Sequence, residues 1–225
     1  IDLVLYYSRE EDDAARAVIE SVPEHVKACV NSIRLISAGL TEEEDVYPMG
    51  PSRQFYDIFL DAEIAAQFAE YGSFAIMERD VTITSTDAFD VLYDLAFDAD
   101  GHTPYWVKGG SLMGNEFHDS AKDAENWEFL GHINGNALYT LSDPAFTEYV
   151  KYTSMMHPPV PDSYPFDVAL WAVISHFPYS WPLWQRYVHL FVHTNLMANL
   201  GLASTSDLSS QQAIFVHGSL HSRSA

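Results

Sequence analysis

Two carboxylates separated by one residue close an apolar run in the stretch Phe74-Ala-Ile-Met-Glu-Arg-Asp-Val-Thr-Ile-Thr84. If the run is a strand, Glu78 and Asp80 point to one side and Arg79 to the other, because side chains alternate. Two like charges held that way repel unless a cation lies between them. Oxygen ligands of this kind suit Mg²⁺ or Mn²⁺, which take one or two carboxylates and fill the rest of their shell with water and phosphate oxygens. A solvated strand end with Arg79 as a neighbour is the plainer reading, and the spacing alone does not separate the two. A second candidate, His189 and His193 in "HLFVH", has helical metal spacing but lacks the glutamate of a zinc-protease motif. In a strand the two rings would also share a face, so that spacing favours no ligand role.

Several chemistries are absent. The chain has no G-x-x-x-x-G-K-[ST], no G-x-G-x-x-G after its first strand, no H-E-x-x-H and no G-x-S-x-G. These absences remove the P-loop nucleotidase, the dinucleotide dehydrogenase, the zincin protease and the serine-hydrolase elbow. The single cysteine, Cys29, excludes an internal disulfide framework and a cysteine zinc site.

The elements that must position the acids follow from periodicity. "IDLVLYYSRE" predicts a buried strand ending at Tyr7-Ser8-Arg9, residues 11 to 20 a helix, and "SIRLISAGL" (32–40) a second strand. Gly50-Pro51-Ser52 opens a helix that the pattern carries to Gly72. "SFAIME" is the third strand, "DAFDVLYDLAFDAD" a helix with an Asp cap, and "PYWVKGG" a fourth strand ending at Lys108-Gly109-Gly110. The order β-α-β-α-β-α-β predicts an α/β fold with a mainly parallel, helix-covered sheet. Ligands in such sheets bind beyond the carboxyl ends of the strands, where Glu78 and Asp80 would lie. After residue 110 come the turn and strand "HINGNALYTL", helices in "DPAFTEYVKYTS" and "PFDVALWAVISHF" joined by 157–165, a late strand "AIFVHG" and a Ser-rich end. All five Trp lie after residue 100.

A chain of 225 residues with 48% hydrophobic content can bury a full core, and no linker marks a boundary, so one domain over 1–225 is expected. It opens on Ile1, which fits a processed form or a piece of a longer chain. No stretch of about 20 apolar residues offers a membrane span. The net charge of −21 comes from 32 acids against 11 bases, and the first hundred residues hold 22 of those acids with 6 of the bases. That balance argues against a nucleic-acid partner, whose backbone needs clustered Lys and Arg. It also repels any anionic ligand unless a local cation is supplied.

Several stretches in order along the chain, "YPMGPSRQFYDIF", "MERDV", "YWVKGGSLMG", "GHINGNALYTLSDPAF", "PFDVALWA" and "FVHG", are similar to glycosyltransferase-like proteins of algae and other protists. The acid-x-acid at the end of a βαβαβ half resembles the D-x-D of GT-A-type nucleotide-sugar glycosyltransferases. The resemblance implies a Rossmann-like GT-A sheet, with a nucleotide-sugar-binding half over 1–110 and a Trp-rich acceptor half over 111–225. It implies Asp80 as a direct metal ligand, Glu78 at a position where the family usually has Asp, and His217 as the late histidine that completes the metal shell. Because imidazole suits Mn²⁺ better than Mg²⁺, Mn²⁺ is the favoured cofactor. Tyr7, Ser8 and Arg9 match the nucleotide-contacting segment. Arg53, Lys108, Gly109, Asn134 and Asn136 join the implied donor site, each with a plain structural reading beside it: surface bases, a turn, amides satisfying their own loop.

The implied partners are a nucleotide-sugar donor and a glycan or glycoconjugate acceptor. An inverting enzyme would also need a carboxylate to deprotonate the acceptor, and Asp167 is the candidate, against a helix-capping role. A retaining enzyme would not need it. Two rivals remain: a sugar nucleotidyltransferase, which would normally carry a Gly-rich basic loop where this chain has "YYSREEDD", and a non-catalytic binding subunit on the same scaffold.

Overall fold

The computed structural model describes residues 1–10, 13–97, 104–111, 131–156, 165–175, 180–194, 197–199 and 214–217. These residues form an α/β protein with small, mixed sheets. Contacts divide the chain into two compact units, Ile1–Glu70 with Val150–Phe166, and Tyr71–Tyr149 with Asp167–Ala225. This division cuts the sequence differently from the expected halves at residue 110.

In the first unit, β1 (Leu3–Tyr7) and β2 (Ile33–Ser37) pair in parallel, Leu3 opposite Ile33 through Tyr7 opposite Ser37. β1 is a run of aliphatic and aromatic residues and β2 carries Ile33, Leu35 and Ile36, types that favour strands. Parallel neighbours need a crossover, here through α1 (Asp13–Glu20) and α2 (Glu24–Lys27). The helix expected from Gly50 to Gly72 is two helices, α3 (Met49–Leu60) and α4 (Ala62–Phe68). The break is at Asp61, whose backbone is extended (φ −80°, ψ 126°) and whose Oδ1 accepts the N–H groups of Glu63 and Ile64 at 2.9 Å each. An Asp that satisfies the free N–H groups of a new first turn competes with helix continuation. The unit's core includes Ile36, Phe55, Ile58 and Phe68. Phe166 stacks on Phe55, with ring centroids 4.1 Å apart at 11°.

The second unit holds two sheets. One has the order β3 (Ser73–Ala75), β6 (Ile133–Thr140), β5 (Val107–Ser111), β7 (Phe191–His193). The other has the order β4 (Val81–Ile83), β9 (Phe215–His217), β8 (Met197–Asn199). The expectation of a mainly parallel sheet is corrected to a mixed one. β3 and β5, linked by α5 (Ala88–Phe97), run the same way, as a helical crossover requires, but β6 lies between them and is antiparallel to both. Alternation in the first hundred residues carried no sign of a later strand inserting there.

The later helices are α6 (Pro144–Met156), which the division crosses at Val150, α7 (Phe166–Ser175) and α8 (Trp181–Tyr187). Asp143 starts α6 by accepting the Ala145 N–H through Oδ1, while its Oδ2 accepts the indole N–H of Trp106 at 2.7 Å. Trp106 is buried and stacks on Tyr187 at 4.3 Å and Tyr149 at 5.2 Å. It is core, as is the buried Trp171; Trp181 is exposed, and Trp127 lies outside the described residues. The loop 157–164 and the Ser-rich end from residue 218 also lie outside them. A cluster of Ala88, Leu92, Leu138 and Phe215 ties α5, β6 and β9 into one core. That cluster fixes the late strand β9 beside Ala88 and Leu92, which lie far earlier in the chain. No helix among the described residues is long and apolar enough to cross a membrane.

Candidate metal centre

β3 ends at Ala75, short of the two acids, so the alternation expected to align them does not operate. The last ladder bond on this edge runs from Ile76 N–H to Ala137 O at 3.0 Å. The chain then turns, with Val81 N–H donating to Glu78 O at 3.0 Å, and β4 begins in the other sheet. Antiparallel pairing of β4 with β9 sets Val81 opposite His217. Register therefore carries the imidazole to the turn that holds Glu78 and Asp80.

The result is a compact triad. His217 Nε2 lies 3.1 Å from Glu78 Oε2 and 3.4 Å from Asp80 Oδ1, and one ligand atom from each of the three residues falls within 4.8 Å of the others. Neighbouring ligand atoms around a small divalent ion bound at 2.0–2.1 Å are separated by about 3 Å, which the two distances from His217 approach. The donor set, two carboxylate oxygens and one imidazole nitrogen, suits Mn²⁺. Without an ion, the same groups neutralise each other. The hydrogen bond to Glu78 raises the His217 pKa against the opposing effect of burial, and its partner Glu78 is held below the ordinary carboxylate range, chiefly by His217.

Behind Glu78 stands the "HINGN" turn at the start of β6. Asn136 Oδ1 accepts the Glu78 N–H at 2.7 Å, and Asn136 Nδ2 donates to Glu78 Oε2 at 2.7 Å and to Asn134 Oδ1 at 3.0 Å. Asn134 Oδ1 also accepts the Asn136 N–H at 2.9 Å. Gly135, between the two asparagines, is held at both its polar groups: its N–H donates to Asp167 Oδ2 at 2.8 Å, and Tyr139 OH donates to its carbonyl at 3.0 Å. Asp167, in the first turn of α7, also accepts the Val168 N–H through Oδ1 at 2.9 Å. Burial raises its pKa, opposed by His132, whose Nε2 lies 3.9 Å from Oδ2. Burial likewise pushes the Tyr139 hydroxyl well up, reinforced by Asp167 and Glu78. Gly131 opens this turn with φ +85°, and a side chain there would also meet Trp171 at 3.0 Å.

The other residues singled out in the sequence are placed as follows. Lys108 is buried in β5, where its Nζ donates to Leu95 O at 2.8 Å near the end of α5 and sits 4.8 Å over the Tyr105 ring. A cation suits the partial negative charge of a helix carboxyl end. Gly109 faces Ala137 and Ile133 of the neighbouring strand, and the close approach its missing side chain permits is to β6. Tyr7, Ser8, Arg9 and Arg53 belong to the first unit. There, Ser8 Oγ and Arg9 Nε both donate to Asp45 Oδ2 at 3.0 Å, and Arg53 pairs with Glu44 at 3.6 Å and Asp57 at 3.7 Å. The second unit gathers Glu78, Asp80, Asn134, Asn136, Asp167 and His217.

Sequence reasoning missed three contributors: Asp45, His132 and Tyr139. His132 sat in plain view at the head of "HINGN", whereas Asp45 was hidden in an acidic run. His189 and His193 fall in a 3₁₀ turn and in β7, and burial lowers the His193 pKa.

No protein-family model, curated protein or solved structure matches this chain.

Proposed function

We propose that this chain is a divalent-metal-dependent glycosyltransferase of GT-A type, moving a sugar from a nucleoside diphosphate to a hydroxyl of a glycan or glycoconjugate. The observation that carries the reading is the meeting of Glu78, Asp80 and His217 at one point, from parts of the chain far apart in sequence. Those three residues would hold Mn²⁺, and the bound ion would offset the charge that develops on the leaving diphosphate. The protein's own part is to keep the ligands ready. Glu78 stays ionised because His217 and Asn136 hydrogen-bond its carboxylate.

Asp167 is better suited to hold the Gly135 turn than to take a proton, since its two oxygens accept backbone N–H groups. One observation favours a second reading, a non-catalytic binding subunit: Arg9, Arg53 and Lys108 are each engaged by the protein's own acids or carbonyls.

Calorimetric titration of UDP and then GDP, with Mn²⁺ and with EDTA, on wild type and Asp80→Ala, tests the proposal. Mn²⁺-dependent binding of one nucleotide that Asp80→Ala abolishes supports it. Failure of both nucleotides to bind with any divalent ion refutes it. Hydrolysis of the matching UDP- or GDP-sugar then separates an enzyme from a binding subunit.

A further inference from the structure

Glu78 poses a steric problem. Its side chain is one methylene longer than aspartate, half-exposed, and sits in a turn with no strand to fix it. A free glutamate there would sample several rotamers and lose that freedom on binding an ion. Instead its carboxylate is already directed at His217. We propose that Asn136 is the positioning residue of this centre, a carboxamide clamp that grips both the backbone N–H and the carboxylate of Glu78 and so presets it as a metal ligand. The inference rests on the metal-centre reading above.

The geometry makes the orientation of Asn136 unambiguous. A carboxamide that accepts a backbone N–H through one atom and meets a carboxylate and an amide oxygen through the other has a single consistent assignment, with Oδ1 on Glu78 N–H and Nδ2 on Glu78 Oε2 and Asn134 Oδ1. Asn136 is 2% exposed, so these partners replace water completely. Its own backbone N–H is held by Asn134, and Gly135 before it by Asp167 and Tyr139. The clamp therefore stands on a support with little freedom to move. Hydrogen-bond partners behind metal-binding side chains orient them in this way, and removing one typically lowers metal affinity by about 10- to 100-fold.

The experiment is a double-mutant cycle read as Mn²⁺ affinity, by electron paramagnetic resonance of free Mn²⁺, on wild type, Asn136→Ala, Glu78→Ala and the double variant, with thermal melting run on each. The clamp predicts that Asn136→Ala weakens Mn²⁺ binding by about 10- to 100-fold in the wild-type background. It also predicts that the same change costs less than about threefold once Glu78 is gone, because the two residues act as one unit. An equal loss in both backgrounds overturns the clamp and leaves the metal centre standing. No saturable Mn²⁺ binding by wild type overturns the metal centre itself, and the clamp with it. If Asn136→Ala does not fold, Glu78→Asp decides. It keeps the charge and creates a D-x-D triplet, but draws the carboxylate back from Asn136 Nδ2 and His217. The clamp predicts about tenfold weaker binding, and binding as tight as wild type overturns it.

Discussion

Gly109→Ala distinguishes two roles for a residue that the sequence offered as a place for a ligand to approach. A Cβ built at position 109 would lie 2.7 Å from Ala137 Cβ, 2.8 Å from Ile133 Cγ2 and 3.3 Å from Ala137 Cα. Ordinary carbon contacts sit at about 3.5–4.0 Å, so the first two overlaps approach 1 Å. Neither neighbour yields cheaply. Ala137 is directly paired with Gly109 and has no rotamer to change, and Ile133 is buried at the start of β6. Relief therefore has to come from moving β5 against β6, and overpacking of that kind costs about 1–3 kcal/mol. Replacing glycine inside a strand returns about 0.5–1 kcal/mol of chain entropy, which is too little to offset it. The expected net loss is about 1–2 kcal/mol, a fall in Tm of roughly 2–8 °C for a chain of this size. Urea and thermal unfolding measure it directly. A variant as stable as wild type that has lost nucleotide binding would refute the packing argument and restore Gly109 to the donor site.

Asp80→Ala should abolish Mn²⁺-dependent nucleotide binding while changing the unfolding free energy by less than about 0.5 kcal/mol, because the side chain is 40% exposed; circular dichroism melts and calorimetry check both. In the metal-free protein, the raised pKa of His217 contributes stability that is present below about pH 6.5 and lost as the pH rises through its folded value, while the lowered pKa of Glu78 contributes stability present above about pH 4.3 and lost as the pH falls through its folded value. The difference in Tm between wild type and His217→Ala should accordingly peak between about pH 4.5 and 6.5, whereas Mn²⁺ affinity, which needs neutral imidazole, should fall by up to about tenfold per pH unit below the folded pKa of His217. Lys108→Met keeps the apolar stem but removes the bond to Leu95 O, and should cost about 1–2 kcal/mol in urea unfolding with no change in Mn²⁺ affinity. Asp61→Ala removes the cap that separates α3 from α4 and should cost about 1 kcal/mol.

The strands and helices of the first hundred residues were largely legible because each is short, amphipathic and bounded by Gly, Pro or Asp. β1 and the parallel β2 appear where apolar runs predicted them, and α5 buries Ala88 and Leu92 with Phe89, Leu95 and Ala96 packed alongside. Two features were illegible for a physical reason. The break at Asp61 depends on one side chain capping the next helix, inside a pattern whose apolar period continues across it. The insertion of β6 between β3 and β5 depends on its pairing with β3 across more than 60 residues, which no local period records. The triad shows the same division. The types and spacing of Glu78 and Asp80 were readable, but the strand geometry that seemed to align them is a turn, and the approach of His217 comes from the β4–β9 register.

The acidity of the chain sharpens the argument for a cation. In a field of 32 acids, several basic side chains meet a carboxylate of their own protein. Arg9 meets Asp45, Arg34 meets Glu70, Arg53 meets Glu44 and Asp57, and Lys27 meets Glu24. Lys108 is turned inward to a helix carbonyl. A diphosphate approaching such a surface gains little from bases already engaged in pairs, and breaking an exposed pair to reach it returns only about 0–1 kcal/mol per contact. A divalent ion held by Glu78, Asp80 and His217 would reverse the sign of the potential at one point, displacing the pairs that His217 makes with Glu78 and Asp80. Those pairs are the ones a metal would replace, because the atoms that meet at His217 in its absence are the atoms that would bind it.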